Sequence, residues 1–279
     1  MALRSFIQKL KHFRLKLHGK LIEQLIHINQ KAGLVLERGE SLLNGRETSA
    51  LHTTYPGHAD QAFGHITYAQ HGEDLILMNL FKILEIDQPA YLDIGAHHPF
   101  NISNTALLYA RGSSGVNVEA NPNLIDAFRK LRPRDTNVNV GISLAEGELD
   151  FYCIDDFSGR NTFDPKAAQD FVAMNPEFKI RSVLKIPTMT LNAIADKYCN
   201  GIFPDFLSID IEGLDLPVLK DVDFSTSHPK VICVEVVSGA NTDISDELKQ
   251  VLKQKDYSLY VKTIGNGIFI HNSLVGKLS

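Results

Sequence analysis

The sequence predicts an α/β protein with a doubly wound, mostly parallel sheet and an antiparallel hairpin at its C-terminal edge. From about residue 66 onward, short apolar runs alternate with helical segments, which is typical of strand–helix–strand units. Residues 206–211 and 231–237 are apolar almost throughout, as in parallel strands covered on both faces. The last two strand-like runs, residues 257–262 and 267–270, predict the closing hairpin.

The helices are predicted from start signals that precede apolar residues. Residues 73–81 begin with two acids, which the helix dipole favours in a first turn. Ser103 can cap a helix over residues 104–111, and Pro122 suits the first turn of the next helix. Further helices are predicted over residues 191–198, 214–219 and 245–255.

The strands are predicted from short apolar or alternating runs. Residues 148–154 alternate between apolar and polar side chains, whereas the polar stretch 155–175 is loop-like with some helix. The strands predicted before the hairpin are residues 90–94, 115–119, 136–140, 148–154, 183–188, 206–211 and 231–237.

Length and composition are those of a globular protein. With 279 residues, 44% hydrophobic and 22% charged, the chain has room for one large α/β domain and an appendage. A net charge of −5 gives no reason to expect nucleic acid as a partner. Three widely spaced cysteines predict free thiols in a reducing cytoplasm. We expect neither a membrane-spanning helix nor a secretion signal, because long apolar runs are missing.

The N-terminal segment differs from the rest of the chain. Apolar residues recur at helical spacing over residues 1–30, and the charged residues up to Lys20 are all basic. Two interpretations stay open: a helix that packs on the protein body or on a second copy of the chain, or a helix on the anionic inner face of a membrane. Residues 38–64 read as a linker or an ordered loop, so we divide the chain into residues 1–60 and 61–279.

A strand that ends in an acid and a glycine turn predicts a site for a nucleotide-like ligand. Asp93 and Gly95 end the first strand, and Glu119 ends the next, where an acid can bind ribose hydroxyls. A dinucleotide is disfavoured, because the turn has one glycine rather than three and Asp93 would repel a pyrophosphate. A carboxylate here suits a cationic ligand, and S-adenosylmethionine carries an ammonium and a sulfonium group.

A second acidic turn follows the strand at residues 206–211. Asp210 and Glu212, with Glu235 from the next strand, should face the same crevice, because ligands bind beyond the carboxyl ends of the strands. Asp210 and Glu212 are candidate general bases. Alternatively, Asp210 and Glu235 bind a divalent cation, Mg²⁺ or Mn²⁺. The structural alternative is that Glu212 caps a helix and Glu235 only accepts a hydrogen bond.

Two histidines, His97 and His98, follow the first glycine turn directly. His98 is the preferred general base, because a neutral imidazole titrates near physiological pH. Contact with a phosphate or carboxylate of the substrate is the competing role for this pair.

Seven segments, in order across about three-fifths of the chain, resemble the FkbM family of S-adenosylmethionine-dependent methyltransferases. The resemblance is strongest to members met near bacterial surface-polysaccharide genes. No single segment is specific, but the set is. The segments are YAQHGEDL (68–75), DIGAHHP (93–99), SNT (103–105), GVNVE (115–119), NTF (161–163), IPTMTL (186–191) and LSIDIEGLD (207–215).

The resemblance implies a Rossmann-like class I methyltransferase fold, here with an N-terminal helical extension, and O-methylation, commonly of a sugar hydroxyl. It also implies which residues contact the cofactor. Asp93, Gly95 and His97 would line its methionine end, and Glu119 would bind its ribose. Gly141 and Ile142 would lie beside the adenine, and Glu73 would close over the cofactor from the N-terminal side.

Two alternatives to this enzyme remain. The chain could be a non-catalytic protein that binds the cofactor and acts as a scaffold in a polysaccharide assembly. It could instead be an oxidoreductase that binds a nicotinamide dinucleotide, which the single-glycine turn disfavours. The acceptor sugar and the position methylated are not encoded in any motif of the sequence.

Overall fold

The computed structural model describes residues 67–211, 213–238 and 242–278, and a seven-stranded sheet forms the centre of this part of the chain. The strands are β1 (Tyr91–Ile94), β2 (Gly115–Val118), β3 (Thr136–Val138), β4 (Gly141–Ile142), β5 (Gly147–Cys153), β6 (Ser182–Met189), β7 (Phe206–Ile209), β8 (Val231–Glu235), β9 (Val237–Ser238), β10 (Thr242–Asp243), β11 (Tyr257–Lys262) and β12 (Asn266–His271). The helices are α1 (Glu73–Ile83), α2 (Ala106–Ala110), α3 (Pro122–Leu131), α4 (Pro165–Met174), α5 (Leu191–Tyr198), α6 (Asp215–Asp221) and α7 (Ser245–Gln254), and a 3₁₀ helix spans Asn272–Leu278.

The order of the strands confirms the predicted doubly wound sheet. It runs β3-β2-β1-β7-β8-β12-β11, and the pairs among the first five are parallel. β12 is antiparallel to both of its neighbours, which confirms the predicted edge hairpin. The chain builds outward from β1 to β3 and then returns to place β7 beside β1. A crevice is therefore expected at the carboxyl ends of β1 and β7, where the order reverses.

Two apolar layers cover the faces of this sheet. Because side chains alternate along a strand, Tyr91 packs on one face while Leu92 and Ile94 pack on the other. The first face is covered by α1 and α2, through Leu77, Leu80, Phe81, Leu108 and Tyr109. The second is covered by α5, α6 and α7, through Leu191, Ile194, Val218, Leu219, Leu248 and Leu252.

A second, three-stranded sheet of order β4-β6-β5 lies between β3 and α5 in the chain. Predicted strand residues 136–140 do not all stay in the main sheet, because the chain leaves it after Val138 and Gly141 pairs with Thr188 instead. The stretch predicted to be loop-like with some helix contains α4, whose first turn is capped by Asp164.

The helix predicted over residues 104–111 is shorter in the structure, because it begins only at Ala106. The N-cap residue is Thr105, but the Ser103 hydroxyl, two residues earlier, still accepts the Ala106 N–H at 3.2 Å, as predicted for a capping residue. Within the described residues, no helix has the length and apolar character needed to cross a bilayer. The predicted N-terminal helix and linker, residues 1–60, lie outside those residues.

Candidate functional site

The ends of three strands meet at Gly95. The N–H groups of Gly95 and Ala96 donate to the carbonyl oxygen of Val118 at 3.0 and 3.1 Å, and the Asp210 N–H donates to Ile94. Gly95 has φ +73°, and a Cβ there would lie 1.8 Å from the Asp210 carbonyl oxygen. Only glycine satisfies both demands, so this residue holds β1, β2 and β7 together at the carboxyl ends of the strands.

Glu119 lies just beyond β2 and is 8% exposed. Its carboxylate accepts the N–H of His97 at 2.9 Å and that of Asn121 at 2.7 Å. Burial raises the pKa of Glu119 to about 7, although these hydrogen bonds oppose the shift. Each carboxylate oxygen has a second lone pair, which could accept a ribose hydroxyl. Its predicted contact with the cofactor ribose stays a prediction.

His97 is held in a strained conformation. Its φ is +53°, which few residues other than glycine adopt. Its Nδ1 is buried and has no hydrogen-bond partner in the part of the chain that the structure describes. Burial lowers the pKa of His97, while the nearby Asp155 opposes the shift. The imidazole is therefore neutral near pH 7, and a ligand could satisfy this buried nitrogen.

The adjacent His98 is also partly buried, but its Nδ1 has hydrogen-bond partners. Its Nδ1 accepts the backbone N–H groups of Phe100 and Asn101 at 3.2 and 3.0 Å. Burial lowers the pKa of His98 to about 4, and His97 contributes to the shift. The lone pair that a general base needs is therefore engaged in the turn, so the geometry disfavours the predicted role of His98 as the base.

The Asp93 carboxylate lies inside the protein rather than at its surface. It is 4% exposed and accepts the hydroxyl of Thr105, at the start of α2, at 2.6 Å. Burial raises the pKa of Asp93, while Thr105 and Arg132 oppose the shift. The predicted contact of Asp93 with the methionine end of the cofactor stays a prediction. Its hydrogen bond to Thr105 indicates that Asp93 stabilises the turn after β1.

A buried acid also holds the turn after β7. The Asp215 carboxylate accepts the N–H groups of Ile211 and Gly213, each at 3.2 Å. Asp215 is 1% exposed, and burial raises its pKa. This role of Asp215 was not predicted from the sequence, although the spacing of an acid two residues after a glycine could have indicated it.

The other predicted acids are placed only in part. Asp210, at the end of β7, and Glu235, at the end of β8, are both half-buried, whereas Glu212 lies outside the described residues. Among the described residues, no group of three or more His, Cys, Asp or Glu side chains could hold a metal ion. The predicted Mg²⁺ or Mn²⁺ site at Asp210 and Glu235 therefore has no support there.

Glu73 joins the beginning of the domain to its C-terminal hairpin. Its carboxylate accepts the Thr263 hydroxyl at 2.6 Å, the Asn266 amide at 3.2 Å and the His71 N–H at 2.8 Å. Burial alone would raise the pKa of Glu73, but these hydrogen bonds outweigh it and the pKa is lowered. The carboxylate thus closes the segment before α1 onto the β11–β12 turn, while its predicted contact with the cofactor stays a prediction.

Gly141 and Ile142 form β4 of the second sheet, paired with β6. A Cβ on Gly141 would lie 2.3 Å from the ring of Phe163, and Ile142 is 3% exposed. Both residues are therefore packed inside the protein, and their predicted place beside an adenine stays a prediction.

A loop over residues 154–161 lies beside the end of β2. Asn161 accepts the Ile154 N–H at 2.8 Å, and the Asn121 amide donates to the Asp156 carbonyl at 3.0 Å. Gly159 of this loop faces the imidazole of His97, because a Cβ there would lie 3.6 Å from the ring. The loop therefore packs against the imidazole of His97.

The chain matches one family profile and is similar to several solved structures. A sequence profile of the methyltransferase FkbM domain matches residues 93–259, which is more than half of the chain. The methyltransferase FkbM of Methylobacillus flagellatus is 16% identical with a TM-score of 0.41, over 66% of this chain and 44% of that protein. The chain thus spans less than half of that protein's length. An O-methyltransferase from Bacillus cereus, solved in complex with SAH, is 16% identical with a TM-score of 0.38, over 83% and 88% of the two chains. No curated protein sequence matches the chain.

Proposed function

Because the chain belongs to the FkbM methyltransferase family, we propose that it is an S-adenosylmethionine-dependent O-methyltransferase. The observation that carries this proposal is the family match over residues 93–259, which includes the turns after β1 and β7. The acceptor that we propose is a sugar hydroxyl of a bacterial surface glycan or of a related natural product. It is supported by the resemblance of the motifs to family members met near surface-polysaccharide genes.

The residues at the turn after β1 fit this cofactor. Glu119 offers carboxylate lone pairs to ribose hydroxyls, and the buried Nδ1 of His97 lacks a partner among the described residues. Two buried acids lie on neighbouring strands, Asp93 within β1 and Glu119 just beyond β2, which suits a ligand with a positive charge. When bound, S-adenosylmethionine supplies a methyl group that is activated by the positive charge on its sulfur.

We assign proton removal from the acceptor hydroxyl to Asp210. This carboxylate follows the last residue of β7, and its backbone touches the glycine turn through Gly95. A base there could take the proton as the acceptor oxygen is methylated, while the fixed turns supply alignment. His98 is a weaker candidate, since its Nδ1 accepts two backbone N–H groups.

Calorimetry with the full chain tests the cofactor assignment. We expect S-adenosylmethionine to bind and a nicotinamide dinucleotide not to bind. The reverse result would show an oxidoreductase-like site and contradict the proposal. The Asp210→Asn variant should bind the cofactor like the wild type but lose methyl transfer, and full transfer in that variant would remove Asp210 from the mechanism.

Mass spectrometry of surface glycans tests the acceptor. Cells with the wild-type chain should carry a glycan heavier by one methylene group than cells without it. An unchanged glycan, together with tight cofactor binding, would favour the non-catalytic scaffold instead.

Residues 1–30 form a separate part of the proposal, since they lie outside the described residues. We propose that this basic segment contacts an anionic membrane or a second copy of the chain. Sedimentation with phosphatidylglycerol vesicles, compared with neutral vesicles, should carry the chain down if it contacts the membrane. A dimer in solution that ignores both vesicles would support the second alternative.

A further inference from the structure

The side chain of Arg132, just after α3, is fully buried. Its guanidinium donates to Asp135 at 2.8 Å and to the hydroxyl of Tyr91 at 2.7 Å. It also lies 5.1 to 5.3 Å from the ring centres of three aromatic residues, Tyr91, Tyr109 and Phe128. A charge inside a protein is costly unless it is paired and hydrogen-bonded. Each of these contacts lowers that cost, so the position of the guanidinium is tightly fixed.

The remaining hydrogen bonds of Arg132 lead to the turn after β1. One terminal nitrogen, Nη1, donates to the Pro99 carbonyl at 3.4 Å and to the Thr105 hydroxyl at 3.0 Å. Thr105 in turn donates to Asp93 at 2.6 Å. The guanidinium therefore contacts the turn at residues 95–104 directly through Pro99, and it reaches Asp93 through a hydroxyl that accepts one hydrogen bond and donates another.

Arg134, two residues later, provides an internal comparison. Its guanidinium also stacks on Tyr109, at 3.9 Å, and donates to the carbonyl oxygens of Tyr109 and Ser113. The Tyr109 carbonyl lies within α2 and the Ser113 carbonyl lies between α2 and β2, so neither belongs to the turn at residues 95–104. Both arginines thus bind the same aromatic residue, but only Arg132 contacts the candidate site.

From this arrangement we infer that Arg132 is a positioning residue, which acts through Pro99 and Thr105 to fix the turn at residues 95–104 in the form that receives the cofactor. Arginine suits this role, because its planar fork of donors can bond to several acceptors at once. A lysine would keep the charge but could not reproduce this set of hydrogen bonds. The inference rests on the proposed function only for the identity of the cofactor.

Hydrogen exchange of the full chain tests the positioning role without any ligand. We expect amide exchange at His97, Phe100 and Asn101 to rise about tenfold in Arg132→Lys, because hydrogen bonds to a charged group are strong. Arg134→Lys is the matched control and should leave these amides unchanged. Unchanged exchange in Arg132→Lys would overturn the inference, as would an equal rise in Arg134→Lys.

The hydroxyl of Thr105 provides a second test if Arg132→Lys folds poorly. Thr105→Val removes the hydroxyl while keeping the shape, and Thr105→Ser retains it. We expect faster exchange of the turn in the valine variant and recovery in the serine variant. Equal exchange in the two variants would contradict a positioning role.

Calorimetry then links the turn to the cofactor. Thr105→Val and Arg132→Lys should weaken S-adenosylmethionine binding about tenfold, with Thr105→Ser and Arg134→Lys close to wild type. If the wild-type chain binds no S-adenosylmethionine, the proposed function fails while the exchange result still decides the role of Arg132. If the wild type binds and all four variants bind equally, the inference fails while the proposed function stands.

Discussion

The turns after β1 and β7 are built with the same device but depend on different parts of the fold. Each follows a buried strand, contains a glycine and is held by a buried carboxylate that accepts two backbone N–H groups. Glu119 binds His97 and Asn121, whereas Asp215 binds Ile211 and Gly213. The first carboxylate lies just beyond the neighbouring strand and joins two strand ends, while the second lies at the start of the helix that follows its turn.

The conformation of the first turn therefore depends on tertiary structure, whereas the conformation of the second depends mainly on residues close to it in the sequence. The turn after β1 needs β2, the loop at His98 and the buried Arg132 to be in place. The turn after β7 needs mainly Asp215, four residues from Ile211. Variants that remove one contact at a time can test whether the two turns respond separately.

Gly95→Ala should have the largest effect, because Gly95 is where the two turns touch. The new methyl group would meet the Asp210 carbonyl, and alanine would also be strained at φ +73°. We expect a loss of about 3 kcal/mol or more in the free energy of unfolding, measured by urea denaturation. Gly147→Ala, where a Cβ meets nothing within 4 Å, is the control and should change little. Equal stability of the two variants would show that the turns are not in contact.

Removing each carboxylate should show that the two turns have different roles in cofactor binding. Glu119→Ala and Asp215→Ala each leave two backbone N–H groups without their acceptor, so we expect each variant to lose about 2 kcal/mol or more of stability. Only Glu119→Ala should weaken S-adenosylmethionine binding about tenfold, because only it removes the proposed ribose contact and releases the turn that carries His97. Equal loss of binding in the two variants, measured by calorimetry, would remove the distinction.

The pH dependence of the free energy of unfolding should reveal the raised pKa of Glu119. Its pKa is raised from 4.5 to about 7, so the folded state binds a proton more tightly than the unfolded state. The resulting stability is fully present below the unfolded pKa and is lost as pH rises through the folded pKa. Between about pH 6 and about pH 8 this loss should be about 1 kcal/mol. Urea unfolding of Glu119→Gln should lack this contribution, and an unchanged pH profile would contradict the assignment.

His98→Asn should have the smallest effect. The asparagine carbonyl can accept the N–H groups that Nδ1 accepts now, so we expect a stability change under about 0.5 kcal/mol. Methyl transfer, measured on surface glycans by mass spectrometry, should persist in His98→Asn and disappear in Asp210→Asn. Loss of transfer in a folded, cofactor-binding His98→Asn protein would restore His98 as the base.

The sequence was sufficient to predict features that depend on local patterns. The parallel direction of the central strands follows from apolar strands that alternate with helices, and the edge hairpin follows from two adjacent strand-like runs. The position of Gly95 was also predictable, because an acid and a glycine after a buried strand indicate a tight turn.

Features that depend on long-range packing were not predictable. His97 and His98 are neighbours of the same type, yet one has a buried nitrogen without a partner among the described residues and the other accepts two N–H groups. Nothing local distinguishes them, because the difference arises from the loop at residues 154–161 and from the shape of the turn. The sequence around Arg132 is that of an ordinary charged residue at a helix end, and only the tertiary structure shows that the side chain is fully buried.

The hydrogen bonds of Glu73 also bear on how the chain folds during synthesis. Thr263 and Asn266 lie 190 and 193 residues further along the chain, so these partners emerge from the ribosome long after α1 has been made. Until then the carboxylate must stay hydrated, because burial without its partners would be costly. The beginning of the domain should therefore close late, after the C-terminal hairpin is available.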